Sequence, residues 1–340
     1  MNKFIIQDTK FEVSTLKTDI LTINSFPEEY SVHFEKFNNK FTDDQVLLVD
    51  KNVKELYNIT HSKIITVEAL ETNKNIETVL SVCETLLSYN FDKGNTLIVI
   101  GGGIIQDIGA FTAKTYKRGI KWIYVPTTLL SQCDSCIGGK TALNFLKYKN
   151  QLALFSAPSK VIIDTNFLKT LSPLDITSGY GEIIKLFLTG GEWYIDNFDN
   201  FTLGESIFHS LSIKKSVIEQ DEFEKLERKS LNYGHSFGHV IETITNYEIP
   251  HGEAVMLGIE IINRIHNNSS VITNLINRFT SLDKLKGINV EELINGLKTD
   301  KKVENGVISL VVVTSPGTTI FINQPINEIL KNKVYELFAD

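Results

Sequence analysis

Apolar residues fall into short continuous runs along the first half of the chain and into helical spacing along the second. "DQVLLVD" (44–50), "KIITVEA" (63–69), "NTLIVIGGG" (95–103), "KWIYVPTT" (121–128) and "KVIIDT" (160–165) have strand length and few polar interruptions. Such runs suit strands buried on both faces. "NKNIETVLSVCETLLSYN", between two of them, has helical period. The alternation predicts an α/β domain, a parallel Rossmann-like sheet with helices on its faces. From about residue 171 the texture turns helical, through "SGYGEIIKLFL", "SLSIKKSVIEQDEFEKLERKSLNYGHSFGHVIETI", "GEAVMLGIEIINRI" and "VEELINGLK". "GVISLVVV" (306–313) is the exception, a strand that packs on the helices or pairs with "TTIFINQ". With the boundary near "LSPLD", the expectation is an α/β domain over 1–170 and a mainly α-helical domain over 171–340. The first thirty residues are polar and strand-like.

A chain of 340 residues is long for a single core, which agrees with two domains. The sequence contains no apolar run of about 18 residues, so a membrane span is not expected, and its start lacks the pattern of a secretory signal. A net charge of −7 speaks against a nucleic-acid partner while leaving room for a local basic pocket. Three cysteines, Cys83, Cys133 and Cys136, are too few for a disulfide framework and fit a reducing cytoplasm. "CDSC" has no second cysteine pair to complete a zinc knuckle and reads as part of a glycine-rich loop.

"RKSLNYGHSFGHVIET" sets Arg228, Asn232, His235 and His239 at i, i+4, i+7 and i+11, along one stripe of an α-helix. Polar stripes are usually solvated faces. Here Gly234 and Gly238 stand beside the histidines, each at a cost of roughly 1 kcal/mol in a helix interior, which points to a close approach to the backbone. H-x-x-x-H suggests zinc, but Ser236 stands where a metalloprotease needs its Glu. His251 in "IPHGEAV" and Glu182 in "GYGEIIK" are further candidates. Two histidines and a carboxylate leave an open position on the ion, the catalytic arrangement.

"LIVIGGGIIQDIGAF" is a strand entering glycines and then a helix. Gly101, Gly102 and Gly103 let backbone N–H groups face an anion at the helix start. The spacing is not G-x-G-x-x-G, and a plain strand–helix turn is the alternative. Asp50, ending "LLVD", is placed to bond a ribose hydroxyl and favours a dinucleotide. A second loop, "VPTTLLSQCDSCIGGKT", gathers Thr127, Thr128, Asp134, Gly138, Gly139 and Lys140.

These stretches, with "TYKRGIKWIYVPTTLLSQCDSCIGGKTALN", "YKNQLALF", "IDTNFLKTL", "HGEAVMLG" and "DKKVENG", occur in the order of one family. Over roughly residues 44–315 the chain resembles 3-dehydroquinate synthases and, more broadly, the sugar phosphate cyclases. The resemblance implies a cytoplasmic homodimer that uses NAD catalytically, together with zinc or cobalt. Its substrate is 3-deoxy-D-arabino-heptulosonate 7-phosphate, which bears a carboxylate and a phosphate. It implies Glu182, His235 and His251 as metal ligands, and His239 near the substrate phosphate rather than on the ion. Arg228 and Asn232 match substrate positions, the arginine at the carboxylate. Lys140, Lys149, Asn150, Lys185, Lys214 and one of Lys301 and Lys302 match further substrate positions. Arg118 matches the arginine that reaches the phosphate in the partner subunit's site. NAD contacts are implied for Asp50, Glu71, Lys74, Gly102, Gly103, Ile104, Asp107, Thr127, Thr128, Leu130, Asp134, Ser135, Lys149 and Thr170. Departures stand at Gln106, Cys136, Gly179–Tyr180–Gly181 and "QLALFSAP". They leave open a sister cyclase acting on sedoheptulose 7-phosphate or glucose 6-phosphate, a polyol dehydrogenase of the glycerol-dehydrogenase type, and a non-catalytic relative.

Overall fold

The computed structural model describes every residue except Pro27, Lys147, Lys301, Lys302 and Asp340. The strands are β1 (Asn2–Ile6), β2 (Thr9–Val13), β3 (Ile20–Ile23), β4 (Tyr30–Phe34), β5 (Gln45–Asp50), β6 (Ile64–Val67), β7 (Thr96–Gly101), β8 (Lys121–Pro126), β9 (Lys140–Phe145), β10 (Tyr148–Phe155), β11 (Lys160–Ile163), β12 (Val303–Glu304), β13 (Val307–Ser315) and β14 (Thr318–Pro325). The helices are α1 (Lys51–Leu56), α2 (Ile76–Ser88), α3 (Gly103–Thr115), α4 (Pro173–Gly190), α5 (Glu192–Asp196), α6 (Leu203–Gln220), α7 (His235–Ile244), α8 (His251–His266), α9 (Ser270–Ile276), α10 (Val290–Lys298) and α11 (Glu328–Ala339). None of the described helices is long and apolar enough to cross a membrane.

Two compact units emerge, one of Thr18–Ser172 and one of Met1–Lys17 with Pro173–Asp340. The α/β unit is built on a seven-stranded sheet in the order β3-β4-β11-β8-β7-β5-β6. Every pairing is parallel except that of edge strand β3 with β4. Val46–Val49 and Leu97–Ile100 are buried without a break, as expected of strands covered on both faces. The expected strands at 44–50, 63–69, 95–103, 121–128 and 160–165 are β5, β6, β7, β8 and β11. An antiparallel hairpin, β9–β10, extends the unit and was not anticipated.

The composite unit is helical around α8, which is buried over most of its length and packs on α4 and α7. Its sheet runs β12-β13-β14-β1-β2, so the expected β13–β14 hairpin is joined by strands from the chain start. The polar, strand-like opening residues thus belong here up to Lys17, which a simple division at residue 170 does not anticipate. They alternate in burial because one face of the sheet is covered and the other is wet, with Phe4, Ile6, Phe11 and Val13 turned inward.

The single helical stripe expected over residues 228–239 does not form. Glu227–Asn232 is a 3₁₀ turn, and α7 begins only at His235. Gly234 lies between them in the left-handed region, at φ +79°, where the helical ladder cannot continue. A Cβ there would meet the Val255 carbonyl and Ile259 of α8. The close backbone approach inferred from the glycines is real, and it is that approach that breaks the helix.

Candidate active site

Helix contact brings together the three residues expected to hold a metal. A Cβ on Gly181 would strike the Gly252 carbonyl, and one on Gly252 would strike the Ser178 carbonyl. The Ser178 hydroxyl also accepts the Gly252 N–H at 3.0 Å. With α4 and α8 this close, Glu182 stands beside His251. The departure at Gly179–Tyr180–Gly181 is thereby explained: Gly181 supplies the contact, and the Tyr180 ring packs at a tilt against Phe198 and Phe279. Gly238, whose Cβ would lie 3.1 Å from the Ala254 carbonyl, brings α7 against the same helix and sets His235 at the cluster.

Donor atoms of Glu182, His235 and His251 lie within 4.8 Å of one another. His251 Nε2 is 3.1 Å from Glu182 Oε1, and His235 Nε2 is 3.6 Å from the same oxygen. Burial, then the nearby Lys185, His239 and His251, hold His235 well below the ordinary histidine range, so it offers a neutral lone pair. Burial also works against a charged His251, but its bonds to Glu182 and Glu242 outweigh it and push the imidazole up to about 10. A divalent ion would take the place of the proton that these carboxylates favour on the imidazole. The donor set, two imidazole nitrogens and one carboxylate, fits zinc with a position left for substrate.

The other expected groups of this unit surround the cluster unevenly. Lys185, 2% exposed, forms a close ion pair with Glu182 Oε2. Lys214 on α6 is buried as well. His239 is exposed, with its ring centroid 5.3 Å from that of His235 and 5.8 Å from that of His251. Arg228 is buried, and its guanidinium donates closely to the Glu222 carbonyl. Asn232 donates to Glu224 Oε1 at 2.6 Å and to the Lys229 carbonyl at 3.2 Å. Asp221 holds this loop by accepting the N–H groups of Lys225, Leu226 and Arg228. Lys301 and Lys302 lie outside the described residues. Sequence reading missed Glu242, the second carboxylate on His251. Its signal was available: His235, His239 and Glu242 follow i, i+4, i+7 within α7.

In the α/β unit Asp50 ends β5, Gly102, Gly103 and Ile104 follow β7, Glu71 and Lys74 follow β6, and Thr127 and Thr128 follow β8. Gly102 is the N-cap of α3, and its Cβ would lie 2.8 Å from Thr128 Cγ2. A Cβ on Gly103 would meet nothing within 4 Å, so there is open space over the start of α3, which Ile104 continues. Asp50, 8% exposed, accepts the Asn52 N–H at 2.8 Å, and burial raises its carboxyl against that bond. Lys74 donates to Asp107 Oδ2 at 3.0 Å and to Asn150 Oδ1 at 2.7 Å. Burial pushes the Asp107 carboxyl up, opposed by Lys74 and the Ala142 N–H. Glu71 Oε1 accepts from Asn144 at 2.8 Å and lies 3.9 Å from Lys149 Nζ.

Thr127 is buried, and Thr128 shares a 2.8 Å hydroxyl contact with Ser131. Leu130 precedes the π-helical turn Ser131–Ser135, which carries Asp134 and the buried thiol of Cys133, with the buried thiol of Cys136 directly after it. Ser135 donates to Gln106 Oε1 at 2.6 Å, and Gln106 Nε2 donates back to the Ser135 carbonyl at 2.7 Å. The unexpected Gln106 therefore ties α3 to this turn. Thr170 Oγ1 lies 3.0 Å from the Tyr57 hydroxyl. Lys140 opens β9 and is exposed. Arg118 ends a 3₁₀ turn, following Lys117 and preceding Gly119, all three at positive φ. Glycines at a helix start and a buried acid at the end of a neighbouring strand fit a dinucleotide.

The family model for the 3-dehydroquinate synthase N-terminal region matches residues 64–178, and that for the C-terminal region matches 179–303. The 3-dehydroquinate synthase of Pelagibacter ubique is 35% identical, with 92% of each chain covered. A 2-deoxy-scyllo-inosose synthase, solved with carbaglucose-6-phosphate, NAD⁺ and Co²⁺, superposes with a TM-score of 0.80 at 22% identity, covering 93% of this chain and 99% of that one. The 2-epi-5-epi-valiolone synthase of Streptomyces hygroscopicus, solved with NAD⁺ and Zn²⁺, gives a TM-score of 0.80 at 21% identity, covering 97% and 99%. These two establish the shared fold. With both halves matched and a relative alike over nearly its full length, the chain belongs to the 3-dehydroquinate synthase family.

Proposed function

We propose that the chain is a sugar phosphate cyclase that converts 3-deoxy-D-arabino-heptulosonate 7-phosphate to 3-dehydroquinate and phosphate, as a cytoplasmic homodimer. The observation that carries this reading is the Glu182–His235–His251 donor cluster in a chain matched by both halves of the family. When bound, the metal supplies Lewis acidity toward substrate hydroxyls and NAD a reversible hydride acceptor.

Glu182, His235 and His251 hold the ion, and Lys185 balances the charge of Glu182. Asp50, Glu71, Lys74, Gly102, Gly103, Ile104, Asp107, Thr127, Thr128, Leu130, Asp134, Ser135, Lys149 and Thr170 serve the dinucleotide. Arg228 reads the substrate carboxylate, because a planar fork matches a carboxylate bidentately. His239 addresses the phosphate, as does Arg118 from the partner. Lys140, Lys149, Asn150, Lys214, Asn232 and one of Lys301 and Lys302 orient the remaining polar groups, and that orientation supplies much of the rate.

The test is incubation of the pure protein with zinc, NAD and each candidate phosphate. Phosphate and 3-dehydroquinate are expected from the heptulosonate, with no net NADH. NADH growing in step with product would identify a polyol dehydrogenase instead. Preference for sedoheptulose 7-phosphate would identify a sister cyclase. Arg228→Lys is expected to weaken the heptulosonate by about 30-fold or more and barely affect the neutral-headed sugar.

A further inference from the structure

His251 presents both ring nitrogens to carboxylates. Nε2 lies 3.1 Å from Glu182 Oε1, and Nδ1 lies 2.9 Å from Glu242 Oε2. An imidazole binds a metal through the nitrogen that carries no proton, and the bond made by the other nitrogen fixes which one that is. Nε2 is the nitrogen that faces Glu182, so the proton belongs on Nδ1, donated to Glu242. His235 is held differently, with Nδ1 3.2 Å from the Tyr233 carbonyl. A neutral carbonyl orients the ring. A carboxylate orients it and also makes the ligating nitrogen more basic. The Glu242 side chain is 12% exposed and that of His251 31%, so the carboxylate end of the pair is the better shielded from water. It sits two turns after His235 on α7, so the helix that supplies one ligand also supplies the partner of another.

We propose that Glu242 is a positioning residue of the metal centre, holding the His251 proton on Nδ1, aiming Nε2 at the ion and raising the ion's affinity. The inference rests on the metal-ligand reading above. One competing arrangement exists: donors of His239, Glu242 and His251 also lie within 4.8 Å, and in that seat Glu242 would touch the ion itself. The 2.9 Å bond to Nδ1 favours the positioning role, because it commits a Glu242 oxygen to the imidazole.

The test measures zinc affinity by chelator competition on the full chain, without substrate or NAD. It uses the wild type, Glu242→Gln, Glu242→Ala, His239→Asn and His235→Ala, with thermal unfolding of each metal-free protein as the control for folding. Glu242→Ala is expected to weaken zinc by about 10–100-fold. Glu242→Gln keeps an acceptor without the charge and is expected to lose less; it also carries the test if the alanine variant fails to fold. Histidine ¹⁵N spectra of the zinc-loaded proteins read the tautomer directly. The His251 Nδ1–H is expected to be protected from exchange in wild type and exposed in Glu242→Ala. Wild-type affinity in both Glu242 variants, with His235→Ala weakened, overturns this inference and leaves the ligand reading standing. Unchanged affinity in His235→Ala overturns both. His239→Asn weakened as much as Glu242→Ala assigns Glu242 to the competing seat and likewise overturns the proposal.

Discussion

Two histidines of the composite unit, His209 and His251, are pushed in opposite directions by their surroundings. His209 on α6 is 3% exposed and sits among Trp193, Tyr194, Phe201 and Phe208, with ring centroids 4.7–5.7 Å away. Its Nδ1 has no hydrogen-bond partner among the described residues, and burial pushes the imidazole down to about 4. His251 on α8 stands between two carboxylates and is pushed up to about 10. Burial opposes the charged form of both. What separates His209 from His251 is the anionic charge that faces the second ring.

The sharpest way to break this comparison is to remove each histidine and measure zinc. His235→Ala and His251→Ala are expected to lose bound metal, by more than the 10–100-fold that an outer partner carries. His239→Ala and His209→Phe are expected to keep it. Metal analysis of purified protein decides the matter; zinc lost from His209→Phe would show that burial, not facing charge, governs the site.

Next in size is the helix contact beneath the cluster. Gly252→Ala sets a methyl group against the Ser178 carbonyl, which is backbone and cannot turn aside. A destabilisation above about 3 kcal/mol is expected in denaturant titration, together with weakened zinc, because overpacking here moves backbone. Wild-type stability in Gly252→Ala would mean that α4 and α8 have room to part.

The third prediction concerns pH. Folded His209 stays neutral to about 4, whereas its ordinary value is 6.5. The unfolded chain therefore binds more protons between those values, and stability rises with pH there. The contribution is complete above pH 6.5 and is lost as pH falls toward 4, a loss of about 3 kcal/mol at most. Unfolding of His209→Phe across that range is expected to lack this slope. An unchanged slope would place the titrating group elsewhere.

Smallest is Gln106→Leu, which removes both bonds to Ser135. About 1–2 kcal/mol is expected in denaturant unfolding, with zinc affinity unchanged. A shift in zinc affinity would show that the Gln106–Ser135 tie reaches the metal centre.

The α/β unit was legible from sequence because its strands are apolar throughout and its helix has clear period; β5 to β8 and β11 fell where the pattern set them. The composite sheet was not, because its register depends on partners some 300 residues apart, such as Ile5 and Thr318. In the site, His235, His251 and Glu182 announced themselves through residue type and glycine neighbours. Glu242 was marked only by its i, i+4, i+7 spacing with His235 and His239, a weaker signal than a glycine neighbour. The stripe through Arg228 failed because Gly234 was read as a costly helical residue, whereas its left-handed backbone is the N-cap at which α7 starts.

The pairing of β1 with β14 also bears on synthesis. As the chain leaves the ribosome, Thr18–Ser172 has all its strands once Ile163 has emerged. The first two strands must wait for Thr318, on the order of 15–60 s at translation rates of about 5–20 residues per second. Unpaired strands are templates for aggregation during such a wait. Lys3, Lys10 and Glu12 lie on the wet side of the waiting pair, and charged side chains at such positions oppose edge-to-edge association.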